Sequence, residues 1–412
     1  MRGVFGADSA VSRARVNDLA ESIQVMDESL PNLFTGRAAF DPAADGAFFE
    51  SVPAKACVAL FYGIGCEPLQ LVCTKNLRAM LRRRLAAQEL GEAALPGKRI
   101  DYRTLVSEVA WRRVDGEFEM DLVYIEAARQ AFPSHWRRLI PDRVSHFVTI
   151  DLAHPHPDFI RITDPTRSDQ AVVFGPFPDK AKADRWIELA RDAFDLCRYR
   201  AILAQAPNGR ACAYKQMNKC PAPCDGTVPI EAYRRGVSDA VAAIRNPTAR
   251  AAEMADAMKA HAGRLEFEQA GRLKSRLTTF TQLGEGPNRS VRPIEAFRFI
   301  AVEPGPRKGT AKIFAITATA IVEAAAVVDA PAVALDDILQ VVDAPLPPSP
   351  WPADVLLGLA CFHLTGPKSG RRFAARADLT DEVCASLIAE ATRPRAARED
   401  SGEAIRETRI EA

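Results

Sequence analysis

Cys197, Cys212, Cys220 and Cys224 are separated by 14, 7 and 3 residues, and no other feature of the chain restricts its folding as much. If the four thiols converge, the last two share one tight loop and the first arrives from a helix end. Four soft sulfur donors suit a Cys-ligated iron–sulfur cluster or a tetrahedral zinc site, since both need deprotonated thiols in a closed shell. Structural zinc usually takes two close CxxC-type pairs. One CxxxC pair with two distant partners favours the cluster, with zinc as the alternative. Pro221 and Pro223 stiffen the ligand loop and remove two backbone donors. The other five of the nine cysteines, Cys57, Cys66, Cys73, Cys361 and Cys384, stand singly in apolar runs such as ACVALF and LACFHL and read as small core residues.

A chain of 412 residues implies two to four domains at the usual size of roughly 100 to 200 residues. Its composition, 48% hydrophobic and 26% charged with a formal net charge of +1, is that of a globular protein. With so little net charge, nucleic acid can be held only by local groups of Lys and Arg. No apolar run approaches the roughly 20 residues of a membrane span, and the start MRGVFGADSAVSRAR does not read as a secretory signal. The expected place is the cytoplasm, with no membrane contact.

The expected fold class is α+β and multidomain. Residues 1–35 read as an extension, and 36–144 as a small α+β unit with strands at ACVALFYGI and EPLQLVC and a helix at TKNLRAMLRRRLAAQEL. In that unit TLVSEVAWRRV is strand-like, and the helix DLVYIEAARQAF is stopped by Pro133. Residues 145–247 form the Cys-rich domain, with short strands ending at a loop FGPFP and a helix from Lys180 to Cys197. Residues 248–283 read as an antiparallel helical hairpin, its apolar positions including Met254, Leu265, Phe267, Leu273 and Leu277. Residues 284–390 form a C-terminal α/β region of unassigned role, in which AFRFIAVE and TAKIFAITATAIV make a hairpin across PGPRKG. Residues 391–412 are a charged tail, expected to be disordered.

Taken in order, FGPFP, LCRYR, ACAYKQMNKCPAPCDGTVPIEAYRRGV and HAGRLEFEQAGRLKSRL resemble the middle of the UvrC excinuclease family. The resemblance implies a 4Fe-4S cluster on Cys197, Cys212, Cys220 and Cys224, and a place in nucleotide excision DNA repair. It also implies that LEFEQAGRLKSRL is a UVR motif, meeting a UvrB-like helicase subunit through Leu265, Phe267, Glu268 and Leu273. Weaker similarity makes residues 36–144 look like a degenerate GIY-YIG nuclease domain. The family's motif tyrosines fall on Ala59 and Gln70, the second motif's glycine and the following lysine on Val72 and Cys73, and the active-site arginine on Met80. Only the metal-binding glutamate is matched, at Glu126, and a divalent metal is expected only if nuclease activity survives. Such a nuclease needs a tyrosine and an arginine to activate water and steady the developing phosphate charge. Ala59, Cys73 and Met80 supply neither function, and Glu126 then reads as a solvated helix residue. The family's later RNase H-like and helix-hairpin-helix parts are not recognisable in 284–412.

Lys75, Arg78, Arg82, Arg83 and Arg84 put enough charge on one helix to contact several phosphates of double-stranded DNA without reading sequence. His135, Trp136, Arg137 and Arg138 form a second basic set with a ring that can stack on a base. His154 and His156 sit in a Pro-bounded segment that reads as a surface turn, and Asp336 and Asp337 as solvated helix residues. The leading reading is a DNA- and UvrB-binding scaffold. The alternatives are an active excinuclease that cuts damaged DNA and a zinc-stapled interaction module.

Overall fold

The computed structural model describes residues 24–25, 30–86, 101–140, 145–166, 171–323, 328–329, 335–343, 346, 348–366, 369–393 and 406–407. The front unit is an antiparallel sheet whose central strand Cys57–Tyr62 lies between Pro68–Thr74 and Glu108–Arg113, with Gly36–Ala39 beyond the latter. Every residue of Cys57–Tyr62 is buried because both faces of the sheet are covered, which explains a continuous apolar run in place of alternation. Cys57, Ala59 and Phe61 face Leu77, Met80, Leu81 and Leu85 of the helix Leu77–Leu85. Val58, Leu60 and Tyr62 face the helix Glu117–Ala131. Asn76 starts the shorter helix by accepting a hydrogen bond from the Ala79 amide.

The C-terminal unit is also an antiparallel sheet, so the expectation of an α/β region is corrected. Its hairpin Arg298–Pro304 and Thr310–Thr317 forms where expected, because the PGPRKG turn interrupts two β-branched runs. Ile321–Glu323 extends the sheet on one side and Phe373–Ala375 on the other. Front and C-terminal units share a path: a hairpin, then helices, then a strand returning antiparallel beside the hairpin's first strand. The terminal segments also take part, since Gln24–Val25 pairs with Ile321–Glu323 and Arg406–Glu407 with Cys73 and Val72. Both pairs lie inside segments read as extension and disordered tail; free sheet edges recruit them.

Two helices, Glu117–Ala131 and Ala353–Thr365, fill the space between these sheets. They are buried nearly all round, and their neighbours include Leu60 and Leu71 of one sheet and Phe299 and Phe314 of the other. The middle unit has a sheet ordered Ile160–Ile162, His146–Ile150, Val172–Phe177 and Arg292–Pro293. FGPFP therefore contributes to a strand and is not the expected loop. A side chain at Gly175 would meet the Phe147 ring at 2.8 Å, so this strand position needs glycine. The helix Lys180–Phe194 packs on the sheet through Trp186, whose ring is buried among Phe159, Phe174 and Phe177. Trp186 Nε1 donates to the Leu283 carbonyl at 3.0 Å. One core thus runs from Val148 to Val291 and takes in Met254 and Phe280 at the base of the helical hairpin. Among the described residues no helix is long and apolar enough to cross a membrane.

The start of the Glu117–Ala131 helix is pressed against a buried carboxyl from the other sheet. Glu303 is fully buried, with Arg372 at 2.9 Å, and a Cβ at Gly116 would overlap its Oε2. Burial raises the Glu303 pKa to about 7, against the opposing effect of Arg372. Its folded value lies above its unfolded value, so folding takes up a proton between them. Stability from this group is therefore greatest below the unfolded value and declines as pH rises through about 7. Glu303→Gln should flatten that decline, a difference on the order of 3 kcal/mol between the pH limits, measured by denaturant unfolding of both proteins at several pH values.

Candidate metal centre

Each cysteine of the quartet is placed by a local turn. Asp195 (φ 53°) ends the helix Lys180–Phe194 in the left-handed conformation and redirects the chain to Cys197. Cys212 precedes the short helix Ala213–Gln216. Asn218 (φ 54°) and Ala222 (φ 55°) stand two residues before Cys220 and Cys224, as Asp195 does before Cys197. Three of the five non-glycine residues with positive φ among the described residues therefore set up these cysteines, a concentration of backbone strain that surrounding contacts must hold. Those contacts are present. The Gly209 amide donates to the Cys224 carbonyl at 2.7 Å, and Lys215 Nζ donates to Asp225 Oδ2 at 2.7 Å and to Thr227 at 2.6 Å. These bonds hold the Asp225 carboxyl down to about 2. The Cys197 amide donates to the hydroxyl oxygen of buried Tyr233 at 3.2 Å.

Cys197, Cys220 and Cys224 are buried and Cys212 is half-buried. The Cys197 thiol is hydrogen-bonded to Cys220; this bond and burial raise Cys197, while the same bond lowers Cys220 against the opposing effect of burial. A backbone hydrogen bond with Ala222 and the Arg198 charge also favour a Cys220 thiolate. Burial raises Cys224, and the charges of Cys220 and Cys212 act on it in the same direction. The Arg198 guanidinium stacks 4.6 Å from the Tyr214 ring centre and pairs with Glu188 at 2.5 Å and with Asp192. Among the described residues no group of three or more His, Cys, Asp or Glu side chains is arranged to hold a metal ion. Cys197, Cys220 and Cys224 act on one another electrostatically and Cys212 acts on Cys224, with backbone amide and cation support for the Cys220 thiolate; four sulfur donors are the chemistry that a thiolate-bound centre takes.

The isolated cysteines behave differently. Burial pushes Cys57 and Cys361 up to about 12, as suits inert core thiols. Cys66 departs from its core reading and lies exposed on the Gly63–Cys66 turn with φ 61°. Ala59, Val72 and Met80 pack together in one apolar cluster, and Gln70, also buried, accepts from Arg84 at 2.8 Å. Glu126 belongs to the helix on the opposite face of that sheet. It is fully buried, which corrects the reading of a solvated residue and leaves no open approach for a catalytic metal. Trp351 Nε1 donates to Glu126 at 2.6 Å, Arg129 pairs with it at 2.6 Å, and Gln130 also donates to it. No sequence signal links Trp351 to Glu126, because they are 225 residues apart.

Lys75, Arg82 and Arg83 are exposed, as a phosphate-contacting face requires. Arg78 is not part of that face: its guanidinium donates to the Val52 carbonyl at 2.9 Å and the Glu50 carbonyl at 3.2 Å. Arg137 is similarly engaged, pairing with Asp354 of the Ala353–Thr365 helix at 2.6 Å and stacking on Trp136, while Arg138 is exposed. His154 accepts from the His156 amide at 2.9 Å in a local turn. The helical hairpin consists of Pro247–Gly263 and Phe267–Thr281. Leu265 and Phe267 are 73% and 66% exposed at its tip, so Phe267 does not lie in the hairpin seam. Glu268 is exposed beside them and Leu273 is half-buried.

Residues 147–243 match the family described as UvrC/Cho excinuclease, middle domain. The chain is a relative of the UvrC family. It is 29% identical over 187 residues to the UvrABC system protein C of Moorella thermoacetica, covering 44% of this chain and 30% of that protein. It is 26% identical over 167 residues to the same protein of Helicobacter hepaticus, covering 40% and 26%. For Desulforudis audaxviator the identity is 27% over 235 residues, covering 56% and 36%. The chain thus spans well under half the length of these relatives. No solved structure matches it.

Cys220→Ser should lower the melting temperature of the middle unit and remove any bound iron or zinc, since the binding energy of a Cys shell is also folding energy. Parallel thermal melts and metal analysis check this, and an unchanged melt with full metal content would remove Cys220 from the ligand set.

Proposed function

We propose that this chain is a DNA- and partner-binding scaffold of nucleotide excision repair in the cytoplasm, without GIY-YIG nuclease chemistry of its own. The observation that carries the proposal is that the matched middle domain contains Cys197, Cys212, Cys220 and Cys224, three of them set up by left-handed turns, with the Cys197 thiol hydrogen-bonded to Cys220. These four residues would hold a 4Fe-4S cluster, which supplies a rigid covalent crosslink between distant loops when bound. Tyr233 and the Lys215–Asp225 pair position the ligand loops, and Arg198 offsets their negative charge. Leu265 and Phe267, exposed on a projecting hairpin, are the anchors for a UvrB-like helicase subunit, with Glu268 and Leu273 beside them. Lys75, Arg82 and Arg83 contact duplex phosphates without reading bases.

Loss of cutting is argued from two placements. The GIY-YIG positions Ala59, Val72 and Met80 are packed as hydrocarbon core, and Glu126 is closed off by Trp351. A carboxylate without an open metal position, a nearby tyrosine or an arginine aimed at phosphate does not activate water.

Anaerobically purified protein should contain four irons and four sulfides per chain and should leave damaged duplex DNA uncut in Mg²⁺ or Mn²⁺. One zinc in place of iron would favour the interaction-module reading. Nicking abolished by Glu126→Gln would overturn the scaffold reading in favour of an excinuclease. Phe267→Ala should weaken binding to a UvrB-like protein by at least about 1 kcal/mol, measured by calorimetric titration.

A further inference from the structure

The loop Pro304–Thr310 joins the two long strands of the C-terminal sheet and is held rigidly. The Gly305 amide donates to the Thr310 carbonyl at 2.8 Å, and Thr310 Oγ1 donates to the Arg307 carbonyl at 2.7 Å. Gly309 has φ 81°, and a Cβ at Gly305 would meet Thr310 Oγ1 at 2.3 Å, so both glycines are needed for the turn. Arg113 of the front sheet donates to the Pro306 carbonyl at 3.3 Å and docks the loop on the front unit.

A cleft of about 280 Å³ lies where these parts meet, and Lys55, Arg113, Arg307, Lys308 and Arg393 line it. All five are exposed. Among the described residues the one acidic lining residue, Asp115, is already paired with Lys312 at 3.2 Å and Arg113 at 3.3 Å. Arg393 pairs with Glu390, while Lys55, Arg307 and Lys308 make no ion pair among the described residues. The Lys55 carbonyl accepts from the Leu77 amide, which puts this cleft beside Lys75 at the start of the Leu77–Leu85 helix. Five cations in one cleft contrast with a chain of net charge +1, so the local potential, not the whole-molecule field, selects the ligand.

We propose that this cleft binds the phosphodiester backbone of nucleic acid, and that the C-terminal unit serves to complete it. The inference rests on the nucleic-acid reading above and adds a site to it. Among the described lining residues no Asn, Gln or aromatic side chain is available to read or stack on a base, so the contact is sequence-independent. The cleft takes Lys55 and Arg113 from the front unit and Arg307, Lys308 and Arg393 from the C-terminal unit. Neither unit alone presents the full set of charges.

The test measures affinity of the full chain for a labelled random-sequence duplex across a series of salt concentrations. The double variant Arg307→Glu with Lys308→Glu lies on an exposed turn, and its melt verifies folding. The slope of log affinity against log salt should become shallower by about 0.9 for each phosphate that the cleft no longer neutralises. Arg272→Glu with Lys274→Glu, on the exposed hairpin helix, makes the same change in net charge and should leave the slope as it was. Equal weakening in both double variants, or none in the first, would overturn the cleft while leaving nucleic-acid binding standing. Absence of binding by the unsubstituted chain would overturn the nucleic-acid reading and the cleft with it.

Discussion

The burial of the Glu117–Ala131 helix between two sheets is the constraint on which the remaining architecture depends. A helix apolar on most of its circumference is stable only if protein covers it on every side, and the front sheet covers only one. The C-terminal sheet and the Ala353–Thr365 helix cover the rest. The polar groups carried into this interior are matched across the join: Asp121 with His363 at 2.8 Å, Glu126 with Trp351, and Glu119 with Lys312 at 2.7 Å. Each pair links residues about 200 or more positions apart. Removing one member would take a hydrogen bond from a buried polar group, so the pairs favour this docking over other hydrophobic contacts.

That docking has a chemical consequence. In a front unit standing alone, the outer surface of the Glu117–Ala131 helix would be open, and Glu126 could approach a cation. Here Trp351 and Arg129 occupy its carboxylate. On the opposite face of the sheet, Ala59, Val72 and Met80 pack together in one apolar cluster. The front unit thus keeps its frame while its two faces are devoted to cohesion. What remains exposed is charge at its edge, including Lys75, Arg82 and Arg83.

The middle unit is organised around loops instead of helices. Its cysteines lie on turns whose backbone conformations are unfavourable for residues with a Cβ, and a network of Lys215, Asp225, Tyr233 and Arg198 holds those turns. The same unit reaches forward through Trp186 and Phe280 to the base of the helical hairpin. The hairpin therefore has a firm base and an exposed apolar tip, a combination suited to presenting a few anchors at low ordering cost.

Much of this was legible in the residue order. Hydrophobic period and turn chemistry were enough to locate the Cys57–Tyr62 and Pro68–Thr74 strands, the C-terminal hairpin and the two hairpin helices, because these elements rest on contacts between near neighbours in sequence. The grouping of Cys197, Cys212, Cys220 and Cys224 was likewise a matter of spacing. Where periodicity is silent, the fold differs from the expectation: FGPFP became a strand by pairing with His146–Ile150. Residue order by itself determined the types of the local elements and the spacing of the four cysteines. Tertiary structure alone decided that Glu126 is enclosed, that Arg78 bonds back to the Val52 and Glu50 carbonyls, that Arg137 pairs with Asp354, and that Lys55 meets Arg307 across a cleft. Those outcomes depend on which distant surfaces exclude water from one another, and that is set by the packing of whole units.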